Sequence, residues 1–386
     1  MRVMISCGEP SGDLYAGALA AELRARVPSI EIVGLGGPRL QAAGATLSGH
    51  FTGLTVTGLT EVVAVLPRSW RMYRRLVRDA RSRRPDVFVA IDFSGFNFRL
   101  MAALRRLGIP VVYYVSPQVW AWRSHRIQTM KRLVDKVLVI FPFEASVYER
   151  AGVPVQFVGH PLVDVARPEQ PRASFLGGLG LRPDARTVAL LPGSRPNELQ
   201  RIATTMAESA AIIRARVSGV QFVVARAPNL PDLLFAPFPP DVAIVEGKTD
   251  DVLAASDVVI TASGTATVQA ALHGKPMVVV YRVSPLTYRL GKPFVKLDTY
   301  AMVNLVAGRR IVPELIQMDF TAEHVAHEAI ALLTDPDRHA RTRDALRDVC
   351  QRLGTPGASG RAADAILEVV GRVPYGARSA YGAGRK

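Results

Sequence analysis

The sequence predicts an α/β protein made of two parallel-sheet halves that face a central cleft. Three observations predict it. Short β-branched runs alternate with helical stretches along most of the chain, the order that builds parallel sheets. The alternation restarts after a polar, proline-bearing stretch at residues 167–171. Both halves place small-residue turns directly after strands, where open α/β sheets bind ligands. The length agrees, because 386 residues exceed one typical core. The expected boundaries are 1–167 and 172–353 for the two halves, a helix at 354–370 and a flexible tail at 371–386.

Composition narrows the class. Hydrophobic residues at 49% and charged residues at 21% describe a globular chain. The formal net charge of +15, carried mostly by arginine, suits an anionic partner: nucleic acid, an acidic membrane surface or a phosphorylated substrate. An arginine-favouring genome would give the same excess. Two cysteines, Cys7 and Cys350, exclude a disulfide framework and point to a reducing compartment. No run of eighteen apolar residues exists, so no spanning helix is expected. Glu9 and Asp13 interrupt the N-terminus, which does not read as a signal peptide.

In the first half, residues 2–7 read as a strand, followed by the loop GEPSGD at 8–13, a helix at 14–26 and a strand at 31–36. That loop lacks the GxGxxG spacing of a dinucleotide site. It carries Glu9, Ser11 and Asp13 to the mouth of the sheet instead; Ser11 or Asp13 as a plain helix cap is the competing reading. Residues 51–84 break the pattern. Apolar residues, among them Val62, Val65 and Leu66, run into eight arginines around Trp70, with Arg71, Arg74, Arg75 and Arg78 at helical spacing. An apolar stretch beside a basic, aromatic-bearing helix suits an anionic membrane surface. Ordinary core and a solvated basic face are the alternatives. Residues 86–92 form a buried strand that ends in Asp92, placed to act as a base in the cleft or to cap the next helix. Strands follow at 110–115, 136–141 and 155–158, with two tryptophans and an arginine crowding the turn after the first of them.

The second half opens with a strand at 187–191 and the turn Pro192-Gly193-Ser194-Arg195, then a helix over 196–217. Strands at 220–225 and 242–245 and a helix at 249–255 lead to the stretch VVITASGTATVQAALHGKPMVVVY at 258–281. This is strand, turn, helix, strand, with almost no bulk at Ser263-Gly264-Thr265. Bare backbone at a helix N-terminus offers free N–H donors to an anionic phosphate; a tight turn with no ligand has the same look. Helices at 321–333, 341–353 and 361–370 close the chain. His324 and His327, three apart on a helix, have zinc-compatible spacing but no third histidine or cysteine near, so no metal site is assigned.

The motifs GEPSGD at 8–13, SPQVWAWR at 116–123, LPGSR at 191–195, ASGTAT at 262–267 and NLVAGR at 304–309 occur together in this order. Over roughly residues 1–370 the chain resembles the lipid-A-disaccharide synthases. The resemblance implies a GT-B fold of two Rossmann-like domains and an inverting glycosyltransferase that needs no metal or other cofactor. It implies UDP-2,3-diacylglucosamine as donor, 2,3-diacylglucosamine 1-phosphate as acceptor, and lipid A disaccharide 1-phosphate and UDP as products. It places the first half on the acceptor and the second on the UDP-sugar. It implies a peripheral position on the anionic cytoplasmic face of the inner membrane and no nucleic acid. Carried over by position, Asp92 is the base, supported by Glu9, Ser11 and Asp13. Gly193, Ser194, Arg195, Ser263, Gly264, Thr265, Gln269 and Asn304 surround UDP. Two positions depart from the pattern: Gln269 stands where such enzymes commonly carry glutamate, and Gly95 where a second carboxylate is frequent. The competing readings are a UDP-sugar epimerase of the same fold, a non-catalytic nucleotide-binding membrane protein, and a basic nucleic-acid-binding protein.

Overall fold

The structure is a computed structural model and describes residues 1–54, 59–117, 126–284 and 299–372, the side chains of 59–64 and 372 excepted. It forms two compact units, Met1–Val165 with Leu353–Lys386, and Ala166–Arg352.

The first unit runs β1 (Arg2–Ser6), α1 (Pro10–Arg26), β2 (Glu31–Gly36), α2 (Pro38–Ala42), β3 (Thr46–His50), α3 (Leu59–Arg83), β4 (Val87–Ile91), α4 (Ser94–Arg106), β5 (Val111–Tyr114), α5 (Arg126–Leu133), β6 (Lys136–Val139), α6 (Pro142–Arg150), β7 (Val155–Phe157) and α7 (Leu162–Val165). Its strands are parallel in the order β3-β2-β1-β4-β5-β6-β7. From β1 the chain winds outward one way to β3, then returns to β4 and winds the other way. The reversal lies between β1 and β4, which pair with Ser6 opposite Ala90. A crevice at the carboxyl ends of the strands belongs at such a reversal. Central strands are buried on both faces, so they read as unbroken apolar runs: all five residues of β4 are buried.

The second unit runs α8 (Arg172–Gly178), β8 (Thr187–Leu191), α9 (Pro196–Arg216), β9 (Gln221–Arg226), β10 (Ala243–Glu246), α10 (Thr249–Ala255), β11 (Val258–Ala262), α11 (Thr265–Leu272), β12 (Met277–Tyr281), α12 (Met302–Ala307), β13 (Glu314–Ile316), α13 (Ala322–Thr334) and α14 (Pro336–Arg352). The order β10-β9-β8-β11-β12-β13 reverses between β8 and β11, where Leu191 pairs opposite Thr261.

Three differences from the sequence expectation have local causes. The helix expected at 14–26 starts at Pro10, because proline fits a first helical position where no N–H bond is needed. Most of the GEPSGD motif is therefore the first turn of α1 rather than a loop. The polar strand β3, with the sequence TLSGH, has no apolar alternation to announce it. The last helix, α15 (Ala358–Arg372), set apart by sequence as its own segment, belongs to the first unit. It starts earlier than residue 361 because Asp164 accepts the N–H groups of Gly357 (2.6 Å) and Ser359 (3.0 Å).

Candidate active site

In the first unit, Gly8, Glu9, Ser11 and Asp13 follow β1 and Asp92 follows β4, the two strands at the strand-order reversal. A Cβ on Gly8 would lie 2.1 Å from the Phe93 ring, so this close approach requires glycine. Asp92 and Phe93 both have left-handed backbone, at φ 45° and 48°. For residues with a Cβ this costs about 1–2 kcal/mol each. The cost is offset by a clamp on the Asp92 carbonyl, which accepts Asn97 Nδ2 at 2.9 Å and the Tyr113 hydroxyl at 2.6 Å. Asn97 is fully buried and ties the turn to β1 through Ser6 Oγ (2.7 Å) and the Ser6 carbonyl (3.2 Å). The backbone of half-buried Asp92 is thus held in an enforced conformation at the switch point.

Glu9 is the N-cap residue of α1, and Ser11 lies half-buried in its first turn. Asp13 is 2% exposed and accepts the N–H groups of Gly37 (2.7 Å), Arg39 (2.9 Å) and Leu40 (3.2 Å). Its carboxylate therefore caps α2, the helix after its own, and pins the turn after β2; as placed here it positions neighbours rather than meeting a substrate. Cys7 packs against the Leu35 carbonyl, and burial, with Asp13 and Asp92 nearby, pushes its thiol well up. His160 is buried against Tyr15 and Phe141, accepts the Leu162 N–H at Nδ1, and is lowered by burial to about 3. Of SPQVWAWR, Ser116 donates to Glu144 (3.1 Å) and the Pro117 carbonyl accepts from Tyr148 (3.5 Å); residues 118–125 lie outside the described residues. Gly95 is exposed, and a Cβ added there would meet nothing within 4 Å.

In the second unit the register brings the turn after β8 beside the turn after β11. Gly193 has φ 120° and Gly264 φ 152°, conformations that favour glycine. Arg195 Nη1 donates to Glu198 Oε1 at 2.9 Å, and Ser194 N–H to Glu198 Oε2 at 3.2 Å. A carboxylate one helical turn on thus occupies donors expected to meet a pyrophosphate, so an arriving phosphate must share or displace it. Glu198 also faces Tyr281 at the end of β12, whose hydroxyl is raised first by burial and then by that carboxylate.

Two of the residues named for this unit have polar groups engaged within the protein. The Ser263 N–H is not available to a ligand, because it extends the sheet ladder to the Val280 carbonyl at 2.9 Å. The backbone donors of the turn are then those of Gly264 and Thr265, beside open space at the Gly264 Cα. Asn304 is fully buried and spends its whole side-chain capacity internally: Nδ2 donates to Val312 O and Glu314 Oε1, and Oδ1 accepts from Ile311 and Val312. It shapes the segment whose Tyr300 carbonyl accepts from Ser263 Oγ at 3.3 Å. Gln269 donates through Nε2 to Asp250 at 2.7 Å, and His273 meets the same oxygen at 2.8 Å.

On α3, Leu66 and Trp70 are 46% and 57% exposed, and Arg71, Arg74, Arg75 and Arg78 are all exposed. Val65 is half-buried, and the Val62 side chain lies outside the described residues. Leu76 and Ala80, on the other side, are buried in the core. Sequence reasoning missed Asn97, Tyr113, Glu198 and Asp250. Only Glu198, three residues after Arg195 in a first helical turn, left a readable signal.

Two parallel-sheet units, each with its candidate residues at a reversal of strand order, define a GT-B-type α/β protein. Solved structures share that fold over nearly the whole chain. A UDP-GlcNAc 2-epimerase from Neisseria meningitidis aligns with TM-score 0.68 at 13% identity, covering 95% of this chain and 100% of that one. The calicheamicin glycosyltransferase CalG4 aligns at 0.58 and 18% identity, covering 97% and 99%. The family model for lipid-A-disaccharide synthetase matches residues 3–369. Lipid-A-disaccharide synthases from Geobacter metallireducens and Geobacter sulfurreducens are 42% and 43% identical over 375 residues, 96% of this chain and 98% of each relative. The chain belongs to the lipid-A-disaccharide synthase family, glycosyltransferases of lipid A biosynthesis.

Proposed function

We propose that this enzyme joins UDP-2,3-diacylglucosamine to 2,3-diacylglucosamine 1-phosphate with inversion, releasing UDP and a β-1,6-linked disaccharide 1-phosphate. The observation that carries the reading is Asp92, held by Asn97 and Tyr113 in left-handed backbone at the β1/β4 reversal. A carboxylate so placed takes the proton of the acceptor's attacking hydroxyl as its oxygen bonds the anomeric carbon. The C–O bond to UDP breaks on the opposite face, and negative charge develops on the departing pyrophosphate. Arg195 and the N–H groups of Gly264 and Thr265 receive that charge. Glu9, Ser11 and Asp13 hold the acceptor side in shape. These donors carry the leaving charge without a metal ion. The acyl chains of both substrates suit a protein that rests on the cytoplasmic leaflet through the exposed Leu66, Trp70 and arginines of α3. No helix among the described residues is long and apolar enough to cross a membrane.

UDP release from UDP-2,3-diacylglucosamine in EDTA, with and without the acceptor, tests the reading. Release that depends on the acceptor supports it. Turnover without acceptor would indicate a hydrolase or epimerase, and UDP binding without turnover a non-catalytic protein.

A further inference from the structure

The side chains of Asp250, Gln269 and His273 form a cluster that the reaction as described does not use. Asp250 lies in the first turn of α10, and the other two lie along and just past α11. Asp250 Oδ1 meets Gln269 Nε2 at 2.7 Å and His273 Nε2 at 2.8 Å. A carboxylate only accepts, so the amide nitrogen must face it and the Gln269 carbonyl oxygen must turn away. By the same logic His273 carries its proton at Nε2. That leaves two acceptors, Asp250 Oδ2 and Gln269 Oε1, flanking one short hydrogen bond. Neither has a hydrogen-bond partner among the described residues, and the Asp250 side chain is 26% exposed.

The spacing of Gln269 from the turn points to a ligand. Gln269 is four residues after Thr265, so it stands about 6 Å along α11 from the helix N-terminus. The space beside Gly264 is open. A ligand that places an anion at the N–H groups of Gly264 and Thr265 and two neighbouring hydroxyl donors one helical turn away fits both features. A ribonucleoside diphosphate is such a ligand.

We propose that Asp250 supplies the carboxylate that binds the ribose diol of the donor nucleotide, with Gln269 Oε1 as second acceptor and His273 as a positioning residue. The negative charge sought at position 269 is delivered from α10 instead. This rests on the nucleotide reading of the turn after β11 given above.

Calorimetric titration of the full chain with UDP and with 2′,3′-dideoxy-UDP separates the two ideas. The unmutated protein binds UDP about 10–100-fold more tightly than the dideoxy compound, as expected when a charged acceptor meets a hydroxyl. Asp250→Ala narrows that ratio to within about 3-fold and leaves dideoxy-UDP affinity unchanged, which also shows the fold intact. Should Asp250→Ala bind neither nucleotide, the near-isosteric Asp250→Asn decides on the same ratio. Exchanging the two groups, Asp250→Asn with Gln269→Glu, restores the preference. An unchanged ratio in the single variants overturns the assignment of Asp250 alone. An unmutated protein that binds neither uridine nucleotide overturns the nucleotide reading and this proposal together.

Discussion

Asp92 owes its pose to two residues that sequence reading passed over. Asp92→Asn should lower kcat by at least about 100-fold with UDP affinity nearly intact, checked by steady-state rates and calorimetry. Tyr113→Phe removes one donor from the Asp92 carbonyl and leaves Asn97 in place. The expected cost is about 1 kcal/mol of stability, with kcat falling while the donor KM holds; an unchanged kcat would make the clamp purely structural. Glycines give a contrasting pair. Gly8→Ala drives a Cβ into Phe93 and should destabilise by about 1–3 kcal/mol. Gly95→Asp, in open space at the start of α4, should be neutral or stabilise by up to about 1 kcal/mol; urea midpoints compare the two. His160 sets an acid limit. Its folded value, about 3, lies below the unfolded one, so its stability contribution is complete above about pH 6.5 and is lost as pH falls toward 3. The loss approaches roughly 5 kcal/mol. Replacing it by Gln should flatten the slope of unfolding free energy against pH across that window. Asp92 was legible because it ends an apolar run. Asn97 and Tyr113 were not, because their function is set by contacts across strands that no spacing along the chain reports.

Elements divide by how they announce themselves. Buried central strands such as β8 and β11 were readable as continuous β-branched runs. The edge strand β3 was not, since half-exposed polar residues carry no period. The turns of the second unit were legible as glycine-rich, yet not which N–H groups they leave free: sheet pairing consumes that of Ser263. The helix α3 belongs at this scale, because its buried side is fixed by Leu76 and Ala80 and its other side exposes arginines. Near an anionic surface each arginine contributes about 1 kcal/mol. Replacing Arg71, Arg74, Arg75 and Arg78 by Gln should therefore release the protein from anionic vesicles in flotation assays, with the far-UV spectrum unchanged. Equal binding of the unmutated protein to neutral and anionic vesicles would remove the electrostatic reading and leave the core side of α3 untouched.

At the scale of the molecule, both sheets repeat one device: outward winding, return and a crevice at the reversal. The sequence displays the restart between the halves, but not that the chain's end returns to the first. Ala362, Ala363, Ala365 and Ile366 of α15 are at most 1% exposed. Arg361 donates to the Val158 carbonyl at 2.8 Å, Arg26 pairs with Asp364 at 2.5 Å, and Lys136 pairs with Glu368 at 3.1 Å. The exposed ion pairs add little; the apolar side of the helix is what holds it. Losing that burial costs about 5 kcal/mol or more, comparable to the whole stability of an ordinary domain. A chain ended at Arg352 should therefore lose the first unit while the second, whose elements all lie within Ala166–Arg352, keeps its fold. The expected result is loss of one of two urea transitions, no transferase activity, and UDP binding within about 3-fold of the full chain. Two intact transitions after truncation would mean that the first sheet is complete without α15.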